Sequence, residues 1–225
     1  MAEHLPMTTT FSELEEIVRI PSPAPVPQAL ACDGEHLWLG SWETARIYGI
    51  DAHQGRVFEE AAAPGKPVGA TVLGDELRFI CSEQDDSRFI RRYVPAHGFK
   101  SHEAVPCPDD TGSFLAFDGA HVWLSQRHLK RVHELDASHR PRRTIPVGEE
   151  ILGMAWVGDR IYFSIWLGKE RGGCRIAYIE PRSEEPRLVF AAQSPFVAVS
   201  IARDGDRLWT NDVRRSEIVA FAIPT

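Results

Sequence analysis

One short phrase recurs five times along this chain and limits what the chain can fold into. A glycine is followed by two variable residues, an aliphatic residue, and then a further pair of mostly apolar or aromatic residues. The copies read GEHLWL at 34–39, GDELRF at 74–79, GAHVWL at 119–124, GDRIYF at 158–163 and GDRLWT at 205–210. Their glycines, Gly34, Gly74, Gly119, Gly158 and Gly205, stand 40, 45, 39 and 47 residues apart. Glycine supplies the positive φ of a tight hairpin turn without steric penalty. A period near 40–45 residues with about four strands per unit is the sequence signature of a β-propeller blade.

The rest of each unit divides by composition. Small or apolar runs such as QALA (28–31), LGMA (152–155) and VSIA (199–202) suit first strands around the axis. Second strands carry Trp38, Trp123, Tyr162 and Trp209 at one repeated position, where large rings fill the space between blades. Third strands read RIYGID (46–51), RRYVPA (91–96), RVHELD (131–136), CRIAYIE (174–180) and SEIVAFA (216–222). Fourth, outer strands follow in four units, but the last unit stops after its third. An unpaired strand-like stretch, LEEIVRIPSP at 14–23, supplies the missing one. The chain therefore reads as one all-β domain over 1–225: a five-bladed propeller of four-stranded antiparallel blades. Blades fall near 28–64, 67–108, 113–148 and 151–193, and the last, 196–225, is closed by 14–21. Such closure removes open sheet edges. Residues 1–10 are expected to be disordered, and the loop WLGKERGG (166–173) is expected to be mobile.

Composition narrows the function classes. The chain has 225 residues, 43% hydrophobic and 25% charged, as an ordinary globular domain does. A net charge of −7 speaks against nucleic acid as the partner. No apolar run approaches the length of about 18 residues that a membrane span needs. Met1–Thr10 carries neither a basic flank nor an apolar core, so no secretory signal is expected. Cys32, Cys81, Cys107 and Cys174 form no CxxC pair and are spread over three blades, which reads as free thiols in a reducing cytoplasm.

Ligands of propellers usually meet one end of the axial channel, where first strands start and second strands turn into third. At that level the sequence places Gln28, Val68, Ser113, Leu152 and Val199 beside five tips: Ser41–Trp42–Glu43, Cys81–Ser82–Glu83, Gln126–Arg127–His128, Ile165–Trp166–Leu167 and Asp212–Val213–Arg214. These tips differ in every blade, while the positions around them repeat. Tryptophan walls with a few convergent polar groups are what a small-molecule pocket needs. Glu43 and Glu83, equivalent in adjacent blades, would form an acid–base pair, with repulsion raising one pKa. His128 would carry protons, and Arg127 would grip a substrate carboxylate. Gln28, Trp42, Trp166 and Asp212 complete the binding set. No metal motif is present in one segment, so a divalent cation would need Glu43, Glu83, His128 and Asp212 from separate blades. Cys81, also at this level, reads as an incidental thiol. No cofactor-binding motif is present: no phosphate loop precedes a helix, and no GxSxG turn occurs.

The phrases ACDGEHLWLG (31–40), AFDGAHVWLS (116–125) and ARDGDRLWTND (202–212) resemble the group of propellers that contains virginiamycin B lyase, SMP-30/gluconolactonase-like proteins and glutamine cyclotransferase. IPSPAPVPQALACDG (20–34) is similar to a lyase-type repeat. The resemblance covers roughly residues 12–225 and describes a blade. Five blades fit the glutamine cyclotransferases, since the lyases have seven and the lactonases six. That family's Phe-Thr-Gln-Gly-Leu phrase corresponds here to Val26–Pro27–Gln28–Ala29–Leu30, its acidic residue to Leu39, and its Tyr-Glu-Ser-Thr phrase is absent.

Two functions follow as expectations. One is an enzyme of the lyase, cyclotransferase or hydrolase type acting on a small polar molecule at the mouth. The other is a non-catalytic propeller that binds a ligand or a protein partner.

Overall fold

The computed structural model describes residues 11–171 and 173–225. The expectation of disorder at residues 1–10 lies outside the described residues. β1 (Glu16–Pro21) is followed by the first blade, β2 (Pro27–Cys32), β3 (His36–Ser41), β4 (Arg46–Asp51) and β5 (Val57–Ala62). The second is β6 (Lys66–Leu73), β7 (Glu76–Ser82), β8 (Arg88–Val94) and β9 (Gly98–Pro106). The third is β10 (Leu115–Phe117), β11 (Val122–Gln126), β12 (Arg131–Leu135) and β13 (Pro141–Pro146). The fourth is β14 (Glu150–Val157), β15 (Arg160–Trp166), β16 (Cys174–Ile179) and β17 (Val189–Ser194). The fifth is β18 (Ala198–Asp204), β19 (Arg207–Asp212) and β20 (Glu217–Ala222), with β1 as its outer strand.

Every blade is a four-stranded antiparallel sheet, and the fifth closes as the sequence predicts. Val18 lies opposite Ala220 and Ile20 opposite Ile218, so the start of the described chain is hydrogen-bonded to its end. The 166–173 insertion holds a single 3₁₀ turn, Lys169–Arg171. Among the described residues no helix is long and apolar enough to cross a membrane.

The hairpin glycines adopt the positive φ their position demands, from 60° at Gly205 to 100° at Gly34. Glycine serves a second purpose where inner strands touch. A Cβ on Gly69 of β6 would lie 2.3 Å from the carbonyl oxygen of Ser113 in the next blade, closer than any side chain can pack. First strands also bend near their starts: pairing slips between Pro27 and Ala29, Pro67 and Gly69, and Ile151 and Gly153. These bulges fall at Gln28, Val68 and Leu152, and a bulge re-aims the side chain it carries.

Aromatic rings fill the joints between blades. Trp38 meets Tyr93 of blade two at 5.7 Å, and Trp123 stacks on Trp156 of blade four at 5.8 Å. Trp209 packs among Leu30, Leu37 and Ile50 of blade one. Tyr162 donates its hydroxyl to the Pro224 carbonyl at 3.0 Å. Truncating a buried tryptophan of this kind costs roughly 3–5 kcal/mol. Blade two departs from the pattern: Arg78 occupies the ring position and pairs with Glu76 at 2.6 Å.

Candidate ligand site at one mouth of the ring

At the end of the ring where the first strands start, blades one to three enclose a cavity of about 590 Å³. Gln28 and Val68, carried by the bulges of β2 and β6, reach it together with Ser113. Trp42, Arg127 and His128 come from the tips after β3 and β11. Asp86, Arg88, Asp109, Asp110 and Thr111 complete the polar lining, and Leu129 and Phe114 add apolar surface.

Trp42 is fixed by its backbone N–H, which donates to the Val26 carbonyl at 3.1 Å. Lys66 Nζ stands 4.9 Å from the centre of its ring and Arg88 Cζ 5.9 Å, both within cation–π reach. Arg88 donates from Nη1 to the Gly112 carbonyl at 3.0 Å and from Nη2 to Asp86 at 3.3 Å. Its Nε–H is buried and has no partner. An unpaired buried donor is costly, of order 1–3 kcal/mol. Arg127 donates its backbone N–H to Ser113 Oγ at 3.2 Å and its Nε–H to Glu150 at 2.7 Å. His128 holds Nδ1 3.5 Å from the same Glu150 carboxylate, and its side chain is 82% exposed.

Two acidic turns form the remaining wall. Asp85 and Asp86, and then Asp109 and Asp110, all have φ between 53° and 59°. Consecutive left-handed aspartates are rare, and backbone strain of this sort persists only where the surroundings hold it. Gln126 is one such restraint: its Nε2 donates to the carbonyls of Pro108 at 2.8 Å and Thr111 at 3.1 Å. The Ser82 hydroxyl, and then Arg88, hold the Asp86 carboxyl below its ordinary pKa. These aspartates were not singled out by the sequence reading. The doublets Asp85–Asp86 and Asp109–Asp110, each followed by a hydroxyl residue, Ser87 or Thr111, are the signal that could have found them.

The other expected residues fall elsewhere. Glu83 is clamped by Arg91, whose Nε and Nη2 each lie 2.7 Å from its carboxylate oxygens, and it does not line the cavity. Glu43 is exposed at its tip and lies outside the lining. The expected Glu43–Glu83 acid–base pair therefore does not face this cavity. Trp166 and Asp212 line a separate groove between blades four and five. Asp212 is nearly inaccessible and accepts from Arg19 at 3.2 Å. Among the described residues no three His, Cys, Asp or Glu side chains gather to hold a metal ion, so Glu43, Glu83, His128 and Asp212 do not form the expected ligand set. The Cys81 thiol is buried, which pushes its pKa up to about 12. At the opposite end of the axis, the ends of all five first strands border a further opening of about 440 Å³, with Cys32, Thr71, Trp156 and Arg203 in its lining.

Fold and mouth together define a five-bladed propeller with a mixed-charge cavity at one end. No family model matches the chain. No curated protein matches it either. Solved structures do. A glutaminyl cyclase from Myxococcus xanthus superposes with a TM-score of 0.72 at 10% identity, covering 95% of this chain and 99% of that one. A catalytically inactive virginiamycin B lyase from Staphylococcus aureus, solved with quinupristin, gives 0.56 at 13% identity, covering 91% and 87%. A nidogen/laminin complex gives 0.60 at 12% identity, covering 82% and 88%. At these identities the likeness is one of fold, which enzymes and a protein-binding propeller share.

Proposed function

We propose that this propeller binds a small polar molecule at the mouth formed by blades one to three, and acts on it by acid–base chemistry of the lyase, cyclotransferase or hydrolase type. The observation that carries this reading is the convergence of Gln28, Trp42, Arg127 and His128 on one cavity, beside the unpartnered Nε–H of Arg88. Cationic Arg88 and Arg127 and anionic Asp86, Asp109 and Asp110 line the same cavity as the Trp42 indole, a composition that suits a molecule bearing both signs. His128 is the group placed to move a proton, because an imidazole carries both a proton donor and a proton acceptor nitrogen. The fold admits such chemistry, since a glutaminyl cyclase and a lyase share it.

A second reading, binding without turnover, is favoured by the clamped state of Glu83 and the exposure of Glu43. The test is a panel of free amino acids, short peptides and lactones, scored for binding by ligand-observed NMR and for conversion by mass spectrometry. Conversion that His128→Ala slows by about 10²-fold or more, with binding retained, supports the enzyme. Binding that Trp42→Ala removes, with no conversion, supports the second reading. No binding by any member contradicts both.

A further inference from the structure

The groove between blades four and five lies apart from that mouth, with a volume of about 600 Å³. Two rings, Trp166 and Phe196, line it, and Arg19 Cζ stands 5.2 Å from the Phe196 ring centre. Lys169, Arg214 and Arg215 line it as well, and all three are exposed. Its one acid, Asp212, has a side chain only 2% exposed and already accepts from Arg19 at 3.2 Å. Arg215 Nε lies 3.9 Å from the same carboxylate, at the edge of ion-pair range. The groove thus presents a clear excess of positive charge on a chain of net charge −7. Cations beside a concave, low-dielectric wall attract anions more strongly than the same charges on a flat surface. Ser194, on the floor, donates its hydroxyl to the Phe196 carbonyl at 2.7 Å, which leaves recognition to the rings and the cations.

We infer that this groove is a second ligand site, which takes an organic anion: a carboxylate or phosphate attached to an aromatic or flat apolar body. The anionic end meets Arg214, Arg215 and Lys169, and the apolar body lies against Trp166 and Phe196. The guanidinium fork suits the planar or tetrahedral oxygens of either anion. This inference is independent of the reaction proposed for the mouth.

Isothermal titration calorimetry at low salt tests it with phenyl phosphate, phenylacetate, inorganic phosphate and benzylamine. Both aromatic anions are expected to bind one site saturably, with inorganic phosphate about tenfold weaker and benzylamine silent. The double variant Arg214→Gln/Arg215→Gln, at exposed positions where folding is not at stake, should weaken both aromatic anions about tenfold or more. Trp166→Ala should do the same, and added salt should weaken binding. Trp42→Ala, in the other cavity, should leave the affinity unchanged. The inference is overturned if neither aromatic anion saturates, if inorganic phosphate or benzylamine binds as well as they do, or if the double variant binds normally. Loss of binding in Trp42→Ala alone would move the ligand to the mouth and also overturn it.

Discussion

Trp123 donates its indole N–H to the carboxylate of Asp118 at 3.0 Å, across the hairpin that opens the third blade. The same bond joins Trp38 to Asp33 at 2.9 Å and Trp209 to Asp204 at 3.0 Å. Where the tryptophan is replaced, by Arg78 in blade two and Tyr162 in blade four, the aspartate is replaced too, by Leu73 and Val157. Asp118 also accepts the backbone N–H of Ala120 and His121 at 2.8 and 2.7 Å. Burial works against its charge, but the bonds from His121, Trp123 and Ala120 outweigh burial and hold its carboxyl below the ordinary range. One side chain thus ties the hairpin turn to the ring that packs the next blade.

Asp118→Ala should therefore lower stability by about 1–3 kcal/mol, through a lost buried hydrogen bond and an orphaned indole N–H. Asp75→Ala and Asp159→Ala, at exposed sites one residue after the turn glycine, should stay within about 0.5 kcal/mol of wild type. Urea unfolding of the three variants checks this. Equal losses would contradict a special role for the Asp–Trp bond.

Removal of the chain through Pro21 should destabilise the ring. It strips β1 from β20, uncovers that edge, and removes Val18 and Ile20 from the core shared with blade one. A fall in melting temperature of roughly 10 °C or more is expected, since each kcal/mol shifts a domain of this size by about 2–4 °C. A calorimetric scan matching that of the full chain would contradict the closure.

His133 makes stability depend on pH. Gln126 Nε2 donates to backbone carbonyls, so Gln126 Oε1 is the acceptor for His133 Nε2 at 2.8 Å. His133 Nδ1 then accepts from the Thr144 hydroxyl at 2.9 Å, which fixes the neutral tautomer. Burial, and then the charge of Arg131, push the His133 pKa below its ordinary value of 6.5. The unfolded chain therefore binds the proton first. The stability that neutral His133 contributes is complete above pH 6.5 and is lost as pH falls through the depressed folded value. His133→Gln should flatten that limb in denaturant titrations taken at several pH values. An unchanged acid limb would assign it to other groups.

The blades were legible in the sequence because turn glycines and strand alternation are local properties, and five copies reinforce one another. Closure by 14–21 was legible for a similar reason: the fifth unit lacked one strand and one strand was spare. The mouth was legible in part. Gln28, Trp42, Arg127 and His128 share a cavity because bulges and tips aim them there. Glu83 does not, because Arg91 on β8 of its own blade holds it in a two-point ion pair, a contact that no spacing rule encodes. Asp212 lines the groove between blades four and five instead, paired with Arg19 from the opposite end of the chain, a contact that no spacing rule encodes either. Trp166 sits at the tip level expected of it, but lines the groove between its blade and the fifth rather than the mouth.

The most direct test of the mouth as a ligand site uses the six tryptophans. Indole-¹⁵N-labelled protein, with Trp42 assigned from Trp42→Phe, is titrated with the tightest-binding compound of the amino acid, peptide and lactone panel. The Trp42 resonance should move saturably while Trp166 and Trp156 stay still, and Arg88→Gln should abolish the shift. Movement of Trp166 or Trp156 with Trp42 unmoved would contradict the account.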